Sequence, residues 1–210
     1  MIRVKICGMR DPLNIREIIE VKPDFLGFIF YPGSPRYVGD KPEMELFRYV
    51  PHGIKKVGVF FNEEIQRIID LSIEAGLDMI QLHGAESPLS CKELKSIGFS
   101  IIKSFNIEND FDFESLMPYM KVCDYFLFDT KSDRPGGSGR KFNWEKLVEY
   151  SFEKPFFLSG GISFEDTDII KMISHRGLFG IDLNSRFERA PGIKDSKLVK
   201  AFIQEIKNDV

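Results

Sequence analysis

The sequence is sparing with several residue types, and each scarcity excludes a class. It has 3 Cys in 210 residues, Cys7, Cys91 and Cys123, widely spaced and with no CxxC pair. That pattern excludes a disulfide scaffold and a cysteine zinc site, and it predicts free thiols in a reducing cytosol. No apolar run approaches the ~18 residues that span a bilayer, so no membrane partner is expected. Lys and Arg form no block and the formal net charge is −3, so nucleic acid is not an expected partner either. Residues 1–10 carry charges and run straight into structure, so no cleaved leader is expected and a cytoplasmic protein is. Trp occurs once but Phe 20 times. Phe has no polar atom to satisfy, so a Phe-rich core follows.

What is present is an alternating pattern. Apolar runs at 2–7, 24–30, 56–61, 79–83, 100–105, 125–129, 155–158 and 178–182 predict strands. Stretches at 12–21, 42–50, 63–75, 88–97, 111–120, 143–150, 163–174 and 196–207 predict helices between and after them. Asp11, Ser87 and Asn143 are placed to cap three of these, and Pro118 should end another. Eight βα units of about 26 residues predict a closed (β/α)8 TIM barrel, an α/β fold occupying 1–210 as a single domain. An open doubly wound sheet is the rival, but Cys7-Gly8-Met9-Arg10 after the first strand is no GxGxxG. Only the loops at 31–41 and 130–141 are long, which leaves almost no room for a lid or cofactor domain.

In such a barrel the active site lies where strands run into the following helices. Those ends carry Cys7, then Arg36 in the loop after the second strand, then His83, Asp129, the turn Ser159-Gly160-Gly161, and Asp182 followed by Asn184-Ser185. Strand alternation points Lys5 inward beneath Cys7, and an inward ammonium needs a carboxylate; Asp182 on the neighbouring eighth strand is the candidate. A cation there is expected to hold Cys7 partly as thiolate. Glycine turns ahead of helices present N–H groups to an anion, and the loops after the last two strands form the usual phosphate site of this fold.

These residues resemble the phosphoribosylanthranilate isomerase family over nearly the whole chain. The pieces are Lys5-Ile6-Cys7-Gly8, Ser34-Pro35-Arg36-Tyr37-Val38, Gln81-Leu82-His83-Gly84, Asp129 with Gly136-Gly137-Ser138-Gly139, Phe142-Asn143-Trp144, Leu158-Ser159-Gly160-Gly161-Ile162 and Gly180-Ile181-Asp182-Leu183-Asn184-Ser185. The resemblance implies Cys7 as general base, Asp129 as general acid, Arg36 on the anthranilate carboxylate, and Gly160, Gly161, Asn184 and Ser185 on the phosphate. His83 and Asp182 match other polar residues of the pocket. It also implies a phosphorylated small-molecule substrate and an Amadori-type isomerisation in tryptophan biosynthesis. One acid and one base suffice for that reaction, so neither a metal nor a redox cofactor is expected. Monomer and homodimer both fit. The sequence departs from the family pattern at Ser138 (for Thr), at Asn143 (for Asp), and in Asn184-Ser185-Arg186-Phe187-Glu188, where the family has Ser-Ser-Gly-Val-Glu; the largest change there is Arg186 for Gly. The last predicts an altered phosphate loop if that position needs positive φ.

Two other readings stand beside this one. Indoleglycerol-phosphate synthase and the histidine-pathway isomerase use related barrels, but they rely on a Lys–Glu set and an Asp pair, and Cys7 disfavours both. A catalytically silent phosphate-binding barrel would have lost Cys7 or Asp129, and both are present.

Overall fold

The computed structural model describes residues 2–130 and 143–207. Eight strands, β1 (Arg3–Ile6), β2 (Phe25–Ile29), β3 (Lys55–Phe60), β4 (Met79–Leu82), β5 (Ser100–Ile107), β6 (Tyr125–Thr130), β7 (Phe156–Leu158) and β8 (Leu178–Leu183), pair in that order. All pairs are parallel, and β8 closes onto β1 with Lys5 opposite Asp182. This is the predicted barrel.

The outer layer differs more from expectation. Helices α1 (Pro12–Ile19), α2 (Glu45–Arg48), α3 (Ile65–Glu74), α4 (Pro88–Ser96), α5 (Thr167–Met172) and α6 (Ser196–Lys207) are α-helical. The stretch 42–50 keeps only the single turn of α2, and 163–174 opens as a 3-10 turn, Phe164–Asp166, before α5. The stretches 111–120 and 143–150 wind as 3-10 segments, Phe113–Tyr119 and Trp144–Glu149. In the first, Pro118 removes a donor and blocks an α-helical ladder. The predicted caps are present: Asp11 accepts from Asn14 N at 2.8 Å, Ser87 from Ser90 N at 3.2 Å and Asn143 from Glu145 N at 3.1 Å. The loop expected at 130–141 lies, beyond Thr130, outside the described residues, with Gly136, Gly137, Ser138 and Gly139.

Strand alternation sorts the core into an inside and an outside. Phe25, Val57, Met79, Ile102, Leu127 and Phe157 fill the barrel, and Cys7, Ile29 and Val59 lie above them. Phe28, Ile80, Leu82, Phe126 and Phe128 face the helices instead. The Phe surplus sits in both layers: Phe25 meets Phe157 edge-on inside, and Phe128 packs on Phe156 and Tyr150 outside. Cys91 and Cys123 are free and buried in the outer core.

At the opposite rim a carboxylate recurs one residue before each of three even-numbered strands. Asp24, Asp78 and Asp124 accept from the backbone N–H of Val4, Lys56 and Ile101 at 2.9, 2.8 and 2.9 Å. Each also pairs with a cation: Arg3, Lys55 and Lys95 respectively. These bonds clamp each even strand to its predecessor, on the face remote from the candidate site.

After β8 the chain makes a 3-10 turn, Ser185–Phe187, and then a hairpin, β9 (Glu188–Ala190) with β10 (Ile193–Lys194), that the sequence reading did not contain. Among the described residues only Lys22 and Asn62 are non-glycine residues at positive φ. Arg186 therefore needs no glycine-like backbone, and its replacement of Gly is absorbed by the 3-10 turn.

Candidate active site

Lys5, at the inner face of β1, is completely buried, and its Nζ donates to Asp182 Oδ1 on β8 at 2.9 Å. Burial alone would lower the Lys5 pKa, but Asp182 and Cys7 outweigh it and hold the ammonium above its ordinary range. Cys7 lies directly above. A Cβ added to Gly27 would lie 2.9 Å from Cys7 Sγ and 3.2 Å from Lys5 Nζ, so only glycine on β2 leaves space for both groups. Burial pushes the Cys7 thiol up, Lys5 and Lys194 pull it down, and Asp182 adds to the rise. Burial wins. Lys5 acts on the thiol in the expected direction, but burial outweighs it.

Across the cleft, His83 follows β4 and Asp129 ends β6. His83 Nε2 is 3.5 Å from Asp129 Oδ2, while Thr130 N donates to Asp129 Oδ1 at 2.8 Å. Gln81, two residues earlier on the same strand face, places Nε2 3.0 Å from His83 Nδ1 and donates to Ser104 Oγ at 3.2 Å. A donor at Nδ1 makes that nitrogen the acceptor and turns the ring N–H at Nε2 toward Asp129. Gly160 packs against the same carboxylate. Its φ is +93°, and a Cβ there would stand 2.9 Å from Asp129 Oδ1 and 2.6 Å from Thr130 N.

Gly160, Gly161, Asn184 and Ser185 meet at one end of the cleft, with Ser159 and Ile162 beside them. Both glycines have positive φ, 93° and 65°. Next to Asn184 the segment after β2 folds back: Ser34 N donates to Tyr31 O at 3.0 Å and Val38 N to Ile29 O at 3.0 Å. That turn carries Arg36 across Gly8 toward the hairpin, where Nε and Nη2 donate to the Glu188 carboxylate at 2.8 and 2.6 Å. Arg36 lies at the rim rather than in the cleft wall, and Lys5 lies beneath the floor. Cys7, His83, Asp129, Gly160, Gly161, Asp182, Asn184 and Ser185 all line the cleft. Among the described residues no group of three or more His, Cys, Asp or Glu could hold a metal ion. Among them, too, no helix is long and apolar enough to cross a membrane.

A family model described as N-(5'phosphoribosyl)anthranilate (PRA) isomerase matches residues 4–205. The chain belongs to this family. An N-(5'-phosphoribosyl)anthranilate isomerase of Phocaeicola vulgatus is 44% identical over 207 residues, covering 99% of this chain and 98% of that one. One from Parabacteroides distasonis is 45% identical over 204 residues, covering 97% and 92%. The phosphoribosyl anthranilate isomerase of Thermotoga maritima superposes with a TM-score of 0.87 at 33% identity, over 99% of this chain and 100% of that one. Another solved isomerase superposes with a TM-score of 0.85 at 30% identity, over 99% and 100%, and holds reduced 1-(o-carboxyphenylamino)-1-deoxyribulose 5-phosphate.

Against the sequence reading, this member of the isomerase family adds five residues to its site. Tyr31 and Phe61 stack obliquely at 4.8 Å and, with Ile29 and Val59, give the cleft an apolar wall. Their positions just past β2 and β3 were the available signal. Gln81 was named only within Gln81-Leu82-His83-Gly84 and given no role. Glu188 and Lys194 come from the hairpin, which was not expected; Glu188 matches the Glu of the family's Ser-Ser-Gly-Val-Glu segment but had been given no role.

Proposed function

We infer that the chain isomerises N-(5-phosphoribosyl)anthranilate to 1-(2-carboxyphenylamino)-1-deoxyribulose 5-phosphate, an aminoaldose-to-aminoketose step of tryptophan biosynthesis. The observation that carries the reading is a thiol and a carboxyl group, Cys7 and Asp129, on the wall of one cleft that is also lined by Ser159-Gly160-Gly161 and by Asn184-Ser185.

The phosphate sits at Gly160, Gly161, Asn184 and Ser185, where glycine lets an anion approach the backbone N–H groups closely. The aromatic ring lies along Tyr31 and Phe61, and Arg36 meets its carboxylate. Asp129 gives its proton to the furanose ring oxygen as the bond from that oxygen to the anomeric carbon breaks, leaving a protonated Schiff base. Cys7, as thiolate, removes the proton from the adjacent carbon, and the electron pair neutralises the nitrogen as an enolamine forms. The enolamine tautomerises to the ketone, so no atom is gained or lost. His83 and Thr130 hold the two oxygens of Asp129 in place. Lys5 and Asp182 support Cys7 from below.

We place this work in the cytosol, on a single barrel domain that acts as a monomer or homodimer. Every group named comes from one chain, so the chemistry needs no second copy. A family member from Thermotoga maritima is itself described as dimeric, and solved as generated monomers.

The test is turnover of freshly prepared phosphoribosylanthranilate, followed by its anthranilate fluorescence. Turnover by the wild-type chain that is abolished in Cys7→Ala and in Asp129→Asn supports the reading. An inactive wild-type chain overturns it.

A further inference from the structure

Two charged side chains on the hairpin take part in none of the steps above, yet both are buried against the site. The Lys194 side chain is wholly buried, and its Nζ donates to Asn184 Oδ1 and to Glu188 Oε1, each at 2.7 Å. The main chain of Lys194 is pinned to α1 as well: its N donates to Asn14 Oδ1 at 2.7 Å, and Asn14 Nδ2 donates to its O at 2.9 Å. Glu188 takes the Nε–Nη2 edge of Arg36 on the other side, and Gly192 N donates to its Oε1 at 3.1 Å. One carboxylate thus serves two cations. The resulting chain Arg36–Glu188–Lys194–Asn184 wraps the end of β1. Gly8 sits inside the bend: a Cβ on it would lie 2.5 Å from Arg36 Cδ and 3.0 Å from Asn184 Oδ1.

We propose that Glu188 and Lys194 are positioning residues: Glu188 aims Arg36 at the substrate carboxylate, and Lys194 holds Asn184 at the phosphate while sharing the same carboxylate. The proposal rests on the functional reading above and deepens it, since it says what fixes the two anion-binding residues, Arg36 and Asn184, relative to each other beside Gly8. Stability alone does not account for the arrangement. Replacing a buried ion pair or triad with apolar side chains of similar volume is often neutral or favourable. Burial also lowers the Lys194 pKa to about 8, with Glu188 opposing, so keeping an ammonium here carries a cost.

The link predicts that binding, rather than the proton transfers, suffers when it is cut. Glu188→Gln and Lys194→Met are made in the full chain, with Lys194→Gln as a second variant that keeps a donor for Asn184. Steady-state kinetics use phosphoribosylanthranilate, with inorganic phosphate and anthranilate as separate competitive inhibitors, and thermal unfolding checks each variant. KM should rise about tenfold in Glu188→Gln and Lys194→Met, from lost hydrogen bonds to charged groups, with kcat within about threefold of wild type. Inhibition by phosphate should weaken most in Lys194→Met, inhibition by anthranilate most in Glu188→Gln, and Lys194→Gln should recover part of the phosphate inhibition. Folded variants with wild-type KM and inhibition overturn the proposal and leave the functional reading intact. A fall in Tm with KM unchanged means a structural role only, and overturns it too. Failure of the wild-type chain to turn over substrate overturns the functional reading itself, and this proposal with it.

Discussion

Lys5 and Asp182 form an ion pair at 2.9 Å across the seam that closes the barrel, directly beneath Cys7. The pair puts charge under the thiol, yet its two members oppose each other there, and burial decides the outcome. Lys5→Met should leave the Asp182 carboxylate buried without its partner and cost ~3–5 kcal/mol in urea unfolding. Asp182→Asn strands the ammonium and should cost a similar amount.

The raised Cys7 pKa makes the thiol mostly protonated at neutral pH. Alkylation by iodoacetamide at pH 7 should therefore be slower than for a free cysteine, which titrates near ~8.5. A base must first lose its own proton, so kcat/KM should climb as pH rises through the Cys7 pKa. A flat profile between pH 6 and 9, combined with rapid alkylation, would show an already ionised thiol and remove this account. Lys5, Asp182 and Lys194 act on Cys7 through their charge, and burial lowers the Lys194 pKa to about 8.

Gly160 has no room for a methyl group. Gly160→Ala would push on Asp129 and Thr130 and strain a backbone at φ +93°. A displacement of this size should lower kcat/KM on the order of a hundredfold while far-UV circular dichroism stays unchanged. Wild-type kinetics in the variant would mean that the position of Asp129 is not critical.

Gln81 acts one bond farther from the chemistry. Gln81→Met removes the donor at His83 Nδ1, freeing the ring to exchange tautomers, and should lower kcat about tenfold with little change in KM. Ser104→Ala should do less, because Gln81 keeps its contact with His83. Equal losses in KM and kcat for Gln81→Met would instead indicate a role in substrate binding.

At the remote rim, hydrogen bonds and ion pairs hold Asp24 and Asp124 below the ordinary carboxylate pKa, against the opposing effect of burial. A depressed carboxylate stabilises the fold fully above its unfolded value, near ~3.9, and that contribution is lost as pH falls through the folded value. Asp124→Asn should thus cost about 1–2 kcal/mol at pH 7, and the difference from wild type should vanish in acid. Activity per folded molecule should not change, because this face carries none of the cleft residues.

The inner and outer faces of the strands were legible because they alternate. Leu127 inward, Phe126 and Phe128 outward, and Asp129 at the tip follow from period-two geometry alone. The same geometry placed Lys5 inward and named Asp182 as its partner, and the register of β1 on β8 bears this out. Chain-local chemistry also carried the caps at Asp11, Ser87 and Asn143. The outer helices were less legible. Whether 143–150 becomes an α-helix or a 3-10 turn depends on how much space the barrel leaves above it, and that is a tertiary quantity.

The sequence by itself therefore determined the barrel and the identity of the groups at its mouth: alternating βα units admit few closed solutions, and strand ends are fixed positions within them. Tertiary structure decided what those groups are worth. Cys7 lies beside a lysine, but burial and Asp182 push its pKa up against that charge. Arg36 appeared as a lone cation in a loop, but its direction is set by Glu188, 152 residues away in the chain. Electrostatic energies depend on distance and on the exclusion of water, and the order of residues along the chain states neither.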